Sequence, residues 1–389
     1  MLVLHPDPGA HETKEGIPEV RSWKKWLVAV STVLVTVAAA VLWLGWSLSA
    51  DISGARLQRV QASPQYQDGA FVNVERQAPL EITWDYLREQ FFGDQQREPV
   101  GAMPVVSLAP ASLQTKPTKG LRAIWLGHAS VLVEIDGLRL LTDPVLSQRA
   151  SPFQFVGPKR FHPSPISLPQ LTGIDAVVIS HDHYDHLDEA TIRHLGRQGT
   201  SFFVPLGVGF YLEKWGIPEN LIFEMDWWQT KKFGPLTLTA TPNRHYSGRG
   251  FFDYKATLWA SWSIVGPEHR VFYSGDTGYS KLFRQIGERL GPFDMSIIKI
   301  GAYGPGASWL DIHMTPEDAV RVHQDVGGKQ LLPVHWGTFN LGIHAWDEPI
   351  RRALKAAKEQ NVPLLTPKVG EMVTAGRQFS GTRWWESVK

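Results

Sequence analysis

The chain has 389 residues, of which 43% are hydrophobic and 20% charged, as in ordinary globular proteins. Lysine and arginine number 39 against 38 for aspartate and glutamate, so no broad positive surface for nucleic acid is expected. Because the chain contains no cysteine, disulfides, thiolate nucleophiles and cysteine-ligated zinc are excluded.

The first fifty residues contain one long apolar run. Residues 1–25 are predicted to be a disordered tail. Residues 26–48 are uncharged, and as a helix they would be long enough to cross a hydrocarbon core of about 30 Å. A cleaved signal peptide is the alternative, but the run exceeds the usual apolar length of roughly 7–15 residues. We therefore expect a retained membrane anchor. The excess of Lys and Arg before the run places the N-terminus inside and the remainder of the chain outside.

After the apolar run, the sequence pattern changes near residue 119 from an irregular stretch to regular β-rich runs. Residues 49–118 are predicted to be a linker and N-terminal extension, and residues 119–389 the main folded domain. In that domain short β-rich runs begin at Leu121 and alternate with Gly and Asp turns. The expected helices cover residues 188–195, 208–215, 280–287 and 315–326. This pattern is typical of an α/β (α+β) fold in which two packed sheets are faced by helices.

A cluster of histidines and aspartates follows the apolar strand predicted at residues 175–180. Three histidines and two aspartates lie within six positions, in the order His181-Asp182-His183-Tyr184-Asp185-His186. A hydrogen-bonded polar turn would explain one or two of these residues. Imidazole and carboxylate groups are suitable zinc ligands, and the motif supplies four of the roughly six or seven that two adjacent ions need.

The His-x-His-x-Asp-His pattern resembles that of the metallo-β-lactamase superfamily. The resemblance implies a four-layer αββα sandwich, two Zn²⁺ ions per chain, and further ligands on later strand-end loops. Three residues match those positions, and each follows a β-rich segment: His245, Asp276 and His335. Carried over by position, one ion takes His181, His183 and His245, the second takes Asp185, His186 and His335, and Asp276 bridges them. Asp182 and Tyr184 are not assigned as ligands.

Longer strings resemble one branch of the superfamily, N-acyl-phosphatidylethanolamine-hydrolysing phospholipase D and its bacterial relatives, over residues 119–345. They include WLGHASVLVE, ISHDHYDHLD, FYSGDTGY, HMTPEDAVRVHQDV and VHWGTF. The resemblance implies a membrane phospholipid substrate and raises a homodimer as an expectation. The chain departs from the mammalian phospholipase in carrying its own anchor, and residues 51–118 match only loosely, best at Phe71-Val72-Asn73.

The implied reaction is cleavage of a phosphodiester. Two ions make hydroxide available near neutral pH and neutralise phosphoryl charge, so attack at phosphorus would release an N-acylethanolamine and phosphatidic acid. Asp185 and Asp276 would act as catalytic ligands, and His313 would protonate the leaving alkoxide, its alternative being a helix-capping residue. We expect two other residues to order the site, His128 and Asp143. Two cations are candidates for holding phosphate, with solvated surface residues as the alternative: Lys159 and Arg160.

Other functions stay open at this point. A metal-dependent lactonase or β-lactamase would use the same ions against a carbonyl carbon, although the VHWGTF and SGDTGY strings favour the phospholipase-like branch. A catalytically idle membrane scaffold would be marked by loss of a ligand, and all seven positions are intact. We expect a single-pass protein of the bacterial inner membrane with its catalytic domain, residues 119–389, on the periplasmic side.

Overall fold

The computed structural model of the chain describes Gly9, residues 20–79 and residues 83–388. The chain divides into two compact units, Met1–Leu48 and Ser49–Lys389. The first contains helix α1 (Val20–Leu48), whose residues Lys25–Leu48 are long and apolar enough to cross a membrane by length and composition. The helix begins inside the stretch predicted as a disordered tail, and the remainder of that prediction, apart from Gly9, lies outside the described residues.

The second unit contains the remaining elements. Its helices are α2 (Gly54–Gln61), α3 (Trp84–Phe92), α4 (Glu189–Gly196), α5 (Gly209–Lys214), α6 (Leu282–Leu290), α7 (Ala307–Leu310), α8 (Pro316–Asp325) and α9 (Glu348–Glu359). Its strands are β1 (Tyr66–Gln67), β2 (Ala70–Phe71), β3 (Leu121–Gly127), β4 (Ser130–Ile135), β5 (Leu138–Thr142), β6 (Ala176–Val178), β7 (Ser201–Pro205), β8 (Ile222–Met225), β9 (Thr230–Phe233), β10 (Leu236–Thr241), β11 (Ser261–Val265), β12 (Arg270–Tyr273), β13 (Met295–Lys299), β14 (Leu331–Val334) and β15 (Met372–Thr374). The four predicted helices are present as α4, α5, α6 and α8, with ends shifted by one to three residues.

Two large sheets form the centre of the second unit. One has the strand order β15-β3-β4-β5-β6-β7-β8, and the other has the order β14-β13-β12-β11-β10-β9. Each sheet changes from antiparallel hairpins to parallel pairing, the first at β5 and β6 and the second at β12 and β13. Parallel neighbours place their carboxyl ends at one edge, so loops from several strands can meet there.

Alternate residues along the strands belong to different hydrophobic cores, and this identifies the layers. On β6, Ala176 and Val178 join the core between the sheets, whereas Val177 joins a second core with α4 and α5. Residues of α6, α8 and α9, represented by Ile286 and Val320, belong to the same core cluster as the second sheet, and α8 packs against β13. Since successive strand residues point to opposite faces, the first sheet is buried on both sides. The predicted four-layer αββα arrangement is confirmed.

Residues 49–118, predicted as a linker and extension, belong to the same compact unit as the sheets. Phe71 is fully buried in the main core, and its N–H donates to the carbonyl of Lys255 at 2.9 Å. From α2, Arg56 and Arg59 both pair with Glu224, at 3.0 and 2.6 Å. The extension is therefore packed on the domain and reaches the loops around the candidate site.

Candidate metal centre

The motif loop begins three residues after β6, and it brings His181 and His183 beside His245 from the loop after β10. Nε2 of His181 lies 2.8 Å from Nδ1 of His183, and Nε2 of His245 lies 3.4 Å from the same atom. The side chains of His181 and His245 are fully buried, and that of His183 is partly buried. The three imidazoles assigned to one ion by sequence thus form one cluster.

A second cluster joins Asp185, His186 and His335, and the structure adds His128 from the turn between β3 and β4. Oδ2 of Asp185 lies 3.3 Å from Nε2 of His186 and 3.4 Å from Nε2 of His335. Nε2 of His128 is 2.9 Å from the same oxygen, so His128 is placed to orient Asp185.

Asp276, three residues after β12, lies between the two clusters. Its Oδ1 is 3.1 Å from Nε2 of His335, and its Oδ2 is 3.4 Å from His186 and 4.0 Å from His245, both measured to Nε2. A four-coordinate zinc ion with ligand atoms at roughly 2.0–2.2 Å separates neighbouring ligand atoms by about 3.4 Å. The observed spacings of 2.8–4.0 Å are close to this value, so each cluster could hold a metal ion, and Asp276 lies within reach of both clusters.

Unpaired polar atoms provide a separate test of whether the residues fit a metal. Among the described residues, the buried side-chain atoms without a hydrogen-bond partner include three at the centre: Nε2 of His186, Nε2 of His335 and Oδ1 of Asp276. Buried polar atoms are normally paired, because leaving one unpaired costs about 1–3 kcal/mol. These three atoms all belong to the proposed ligand set, and a nitrogen and oxygen donor set suits zinc and related ions. The residues present therefore fit a metal centre.

Hydrogen bonds behind the clusters fix which imidazole nitrogen faces inward. Nδ1 of His186 lies 2.6 Å from Oδ2 of Asp143, the residue that follows β5, and Nδ1 of His245 lies 3.0 Å from the carbonyl of Ile312. Asp143 is itself held by the N–H of Ser180 at 2.7 Å and by the hydroxyl of Tyr273. With Nδ1 protonated and donating, Nε2 is free to ligate.

Three residues of the site adopt left-handed backbone conformations that are uncommon for residues other than glycine: His128, Asp143 and His335, with φ of 52°, 32° and 65°. Two of them hold each other, because the N–H of His335 donates to the carbonyl of His128 at 2.9 Å. The N–H of His128 donates in turn to Oγ1 of Thr338 at 2.7 Å. Such strain persists only where the surrounding structure determines it, and it often marks functional sites.

The electrostatics of the clusters suit cation binding. Burial lowers the pKa of His181 well below its usual value and that of His183 to about 4, so both rings are neutral at pH 7. Burial opposes ionisation of Asp276, but His335 and His186 outweigh it and hold the pKa of this carboxyl well below its usual range. Burial also disfavours charge on His186, yet the neighbouring carboxylates raise its pKa well above normal. Without a metal, a proton on His186 compensates the negative charge of the neighbouring carboxylates. A bound metal cation would compensate that charge in place of the proton.

His313, the candidate proton donor, lies at the rim of this centre. Its Nδ1 is 3.6 Å from Oδ2 of Asp276, and Nζ of Lys299 lies 2.7 Å from the same nitrogen. Lys299 is the last residue of β13 and is fully buried, which lowers its pKa to about 8, so it still carries a proton at pH 7. Sequence reasoning missed Lys299, because one lysine in the apolar string MSIIKIG gives no signal of its own.

Asp182 and Tyr184, the two motif residues not assigned as ligands, form hydrogen bonds with the loop after β10. Asp182 accepts from the N–H of Gly248 and from the hydroxyl of Thr257, both at 2.8 Å. The hydroxyl of Tyr184 donates to the carbonyl of Arg249 at 2.9 Å.

The prediction that Arg160 holds phosphate needs correction. Arg160 is buried, and its two terminal nitrogens donate to the carbonyls of Val145 and Leu126 at 2.7 and 3.0 Å. Its guanidinium therefore fastens loops together. Lys159 is exposed, and its backbone pairs with that of Arg149.

Two further residues position the site, and neither was assigned a role in it from the sequence. The side-chain amide of Asn73 donates to the carbonyl of His245 at 2.9 Å and accepts from its N–H at 3.1 Å. Arg249 donates to the carbonyls of Asp182 and Leu187 at 2.6 and 2.9 Å, which ties the loop after β10 to the motif loop.

Comparisons with known proteins agree with this architecture. A family model described as a beta-lactamase superfamily domain matches residues 138–336. An uncharacterized protein of Mycobacterium tuberculosis (strain ATCC 25618 / H37Rv) is 46% identical over 347 residues, which cover 87% of this chain and 91% of that protein. N-acyl-phosphatidylethanolamine-hydrolyzing phospholipase D 1 of Caenorhabditis elegans is 40% identical over 233 residues, which cover 57% of this chain and 65% of that enzyme.

Among solved structures, a possible metal-dependent hydrolase from Veillonella parvula DSM 2008 aligns with a TM-score of 0.53 and 20% identity. The alignment covers 66% of this chain and 99% of that one, and at this identity it supports the fold alone. The fold, the paired His/Asp clusters and the family match agree, and the chain belongs to the metallo-β-lactamase superfamily as one of its metal-dependent hydrolases.

Proposed function

We propose that the chain is a membrane-anchored, dinuclear zinc phosphodiesterase that cleaves N-acyl-phosphatidylethanolamine into an N-acylethanolamine and phosphatidic acid. The observation that carries the proposal is the position of Asp276, whose two oxygens lie 3.1 Å from Nε2 of His335 and 4.0 Å from Nε2 of His245. A carboxylate shared between two ligand clusters suits ions held roughly 3.5–4 Å apart, the spacing found in enzymes that displace an alcohol from phosphorus.

The ligands divide between the two ions as the clusters divide. His181, His183 and His245 would hold one ion, and Asp185, His186 and His335 the other. When bound, the ions would supply Lewis-acid activation of water and charge neutralisation on the phosphoryl oxygens. The chain's own contribution is to keep these ligands in the correct protonation state and in one geometry, through Asp143, His128 and the carbonyl of Ile312.

His313 is the group in the chain best placed to supply a proton to the leaving alkoxide. Because Lys299 donates to Nδ1, the proton of a neutral His313 ring is on Nε2, from which the ring can donate. As the alkoxide takes the Nε2 proton, Nδ1 can take a proton from the Lys299 ammonium. The pair therefore delivers a proton without requiring a charged imidazole, which burial and the adjacent Lys299 disfavour by lowering the pKa of His313.

The substrate class is supported by the phospholipase among the relatives and by helix α1. The C. elegans relative is named for hydrolysis of N-acyl-phosphatidylethanolamine, although the chain covers just under two thirds of that enzyme. A helix fixed in the bilayer would hold the catalytic unit beside a lipid substrate and replace a search from solution with a high local concentration. The positive charge just before the apolar run at residues 26–48 favours a periplasmic catalytic unit in the bacterial inner membrane.

The decisive experiment is hydrolysis in ¹⁸O-labelled water. The zinc-loaded full chain in phosphatidylcholine vesicles containing N-acyl-phosphatidylethanolamine should place the label in phosphatidic acid, because attack is at phosphorus. The Asp276→Ala variant serves as the control and should give neither product. Label in a released fatty acid would show acyl hydrolysis and contradict the proposal. Opening of a lactone without turnover of phospholipid would assign the chain to lactone chemistry instead.

A further inference from the structure

The loop between β10 and β11 carries a cluster of exposed aromatic side chains. Phe251, Phe252 and Tyr254 are 63%, 60% and 60% exposed, within four consecutive positions. Large aromatic side chains on a surface, grouped rather than scattered, mark a contact with an apolar partner. We call residues 251–254 the aromatic tip.

The other side of this loop is fastened to the proposed metal centre. The loop carries the candidate ligand His245 near its start, and the N–H of Gly248 donates to Asp182 of the motif loop at 2.8 Å. The guanidinium of Arg249 lies over the ring of Tyr184, with its central carbon 4.0 Å from the ring centroid. The loop that carries the exposed aromatic residues is therefore packed against the motif loop.

The aromatic tip is also bonded to the first residues of the second unit. Oγ of Ser49 accepts from the N–H of Phe252 at 3.1 Å, and the N–H of Ala50 donates to Oδ2 of Asp253 at 2.9 Å. Asp253 accepts from the hydroxyl of Tyr211 as well, which anchors the tip to α5. In the chain, Ser49 directly follows Leu48, the last residue of the apolar helix α1.

These contacts indicate which apolar partner the tip meets. If α1 spans a bilayer, Ser49 lies at the end of the span, where the headgroup layer is about 5–8 Å deep. A residue whose backbone is hydrogen-bonded to Ser49 must then lie within or next to that layer. Aromatic rings with one apolar side and one wet side are enriched at this depth.

We propose that the aromatic tip inserts into the bilayer interface and forms a second membrane attachment, which holds the loop that carries His245 at the lipid surface. The inference rests on the proposed spanning role of α1 and goes beyond it. Because the tip, Arg249 and His245 are on one loop, the site would take lipid directly from the membrane and not from solution.

Because the chain has no cysteine, single cysteines can be introduced for spin labelling. Phe252→Cys reports on the tip, Leu34→Cys on the middle of α1, and Glu268→Cys is the matched control. Glu268 is exposed and lies beyond the end of β11 that is farther from the tip, a strand of about 17 Å. The full chain is placed in nanodiscs of phosphatidylcholine and phosphatidylglycerol, and each label is exposed to oxygen, which concentrates in lipid, and to a water-soluble nickel chelate.

At position 252 we expect accessibility to oxygen to exceed that to nickel severalfold, with the reverse order at position 268. Equal nickel accessibility at the two positions, with position 34 in lipid, would overturn the inference and leave the anchor intact. A water-accessible label at position 34 would overturn both. Dipolar broadening between labels at position 252, without a gain in oxygen accessibility, would assign the tip to a contact between two copies and also overturn the inference. The ¹⁸O experiment tests the phosphodiesterase separately.

Discussion

Nζ of Lys299 lies 2.7 Å from Nδ1 of His313, at the end of β13 and beside the carboxylate that joins the two ligand clusters. The contact leaves one tautomer for a neutral His313 ring, with its proton on Nε2. A lysine buried at this position therefore sets the hydrogen-bonding direction of a histidine that the sequence singled out without its partner.

This relationship predicts non-additive effects on turnover. Loss of a hydrogen bond to a charged group costs about 1.5–3 kcal/mol, so Lys299→Met should lower kcat about 10- to 100-fold. His313→Ala should do likewise, and the double variant should be no slower than the worse single variant, since Lys299 acts through His313. Lys329→Met, which removes a surface pair with Asp294, is the control and should stay near the wild-type rate. Multiplied losses in the double variant would contradict the relay.

Two aspartates three positions apart in the motif loop should respond differently to substitution. Asp185→Ala removes a proposed ligand, so the purified protein should carry about one metal equivalent where the wild type carries two, measured by elemental analysis. Asp182→Asn keeps the ligands and weakens only its bonds to Gly248 and Thr257. That variant should retain both equivalents with a lower Tm. Equal metal content in Asp185→Ala and the wild type would exclude Asp185 as a ligand.

Asp143→Asn tests the hydrogen bond behind the second cluster. The variant replaces an acceptor for Nδ1 of His186 with a group that can present a donor, and loss of such a partner typically weakens metal affinity 10- to 100-fold. Competition with a chelator measures this change. The control is Asp136→Asn, because Asp136 also lies 2.6 Å from a histidine Nδ1, that of His269, at a pair outside the candidate centre. Equal losses in both variants would indicate a general effect on stability.

Helix α1 predicts how the protein fractionates in a bacterial cell. An apolar helix of this length should keep the chain in membranes through high salt and alkaline carbonate, with release only by detergent. Protease added to spheroplasts should digest the catalytic unit and spare the short N-terminal tail. Protection of the catalytic unit would reverse the orientation, and an N-terminus beginning near Asp51 would show that the helix is cleaved.

The seven candidate ligands were predictable because each has a local signal. Four are in one six-residue motif, and each of the other three follows an apolar strand. Because the carboxyl ends of parallel strands lie at one edge of a sheet, residues that follow such strands are expected to lie close together. The layers were also predictable, since a continuous apolar run such as AVV of β6 indicates a strand that is buried on both faces.

The positioning residues were not predictable, because their roles depend on contacts between distant parts of the chain. Asn73 meets His245 across 172 positions, and Arg249 stands in a Gly-rich stretch that indicates only a loop. Arg160 was misassigned for a related reason. A cation beside Lys159 in a loop suggests exposure, and only the folded structure shows the carbonyls that bury it.

The left-handed backbone at His128, Asp143 and His335 has a consequence for the order of folding and metal binding. Each conformation costs about 1 kcal/mol, and neighbouring segments must already be in place to hold it. The ligands should therefore reach their final positions late in folding. Metal would then bind to a site that has already formed and would not initiate folding. Addition of zinc to metal-stripped protein should then slow amide hydrogen exchange most at these three turns, while the strands between them, already protected, change little.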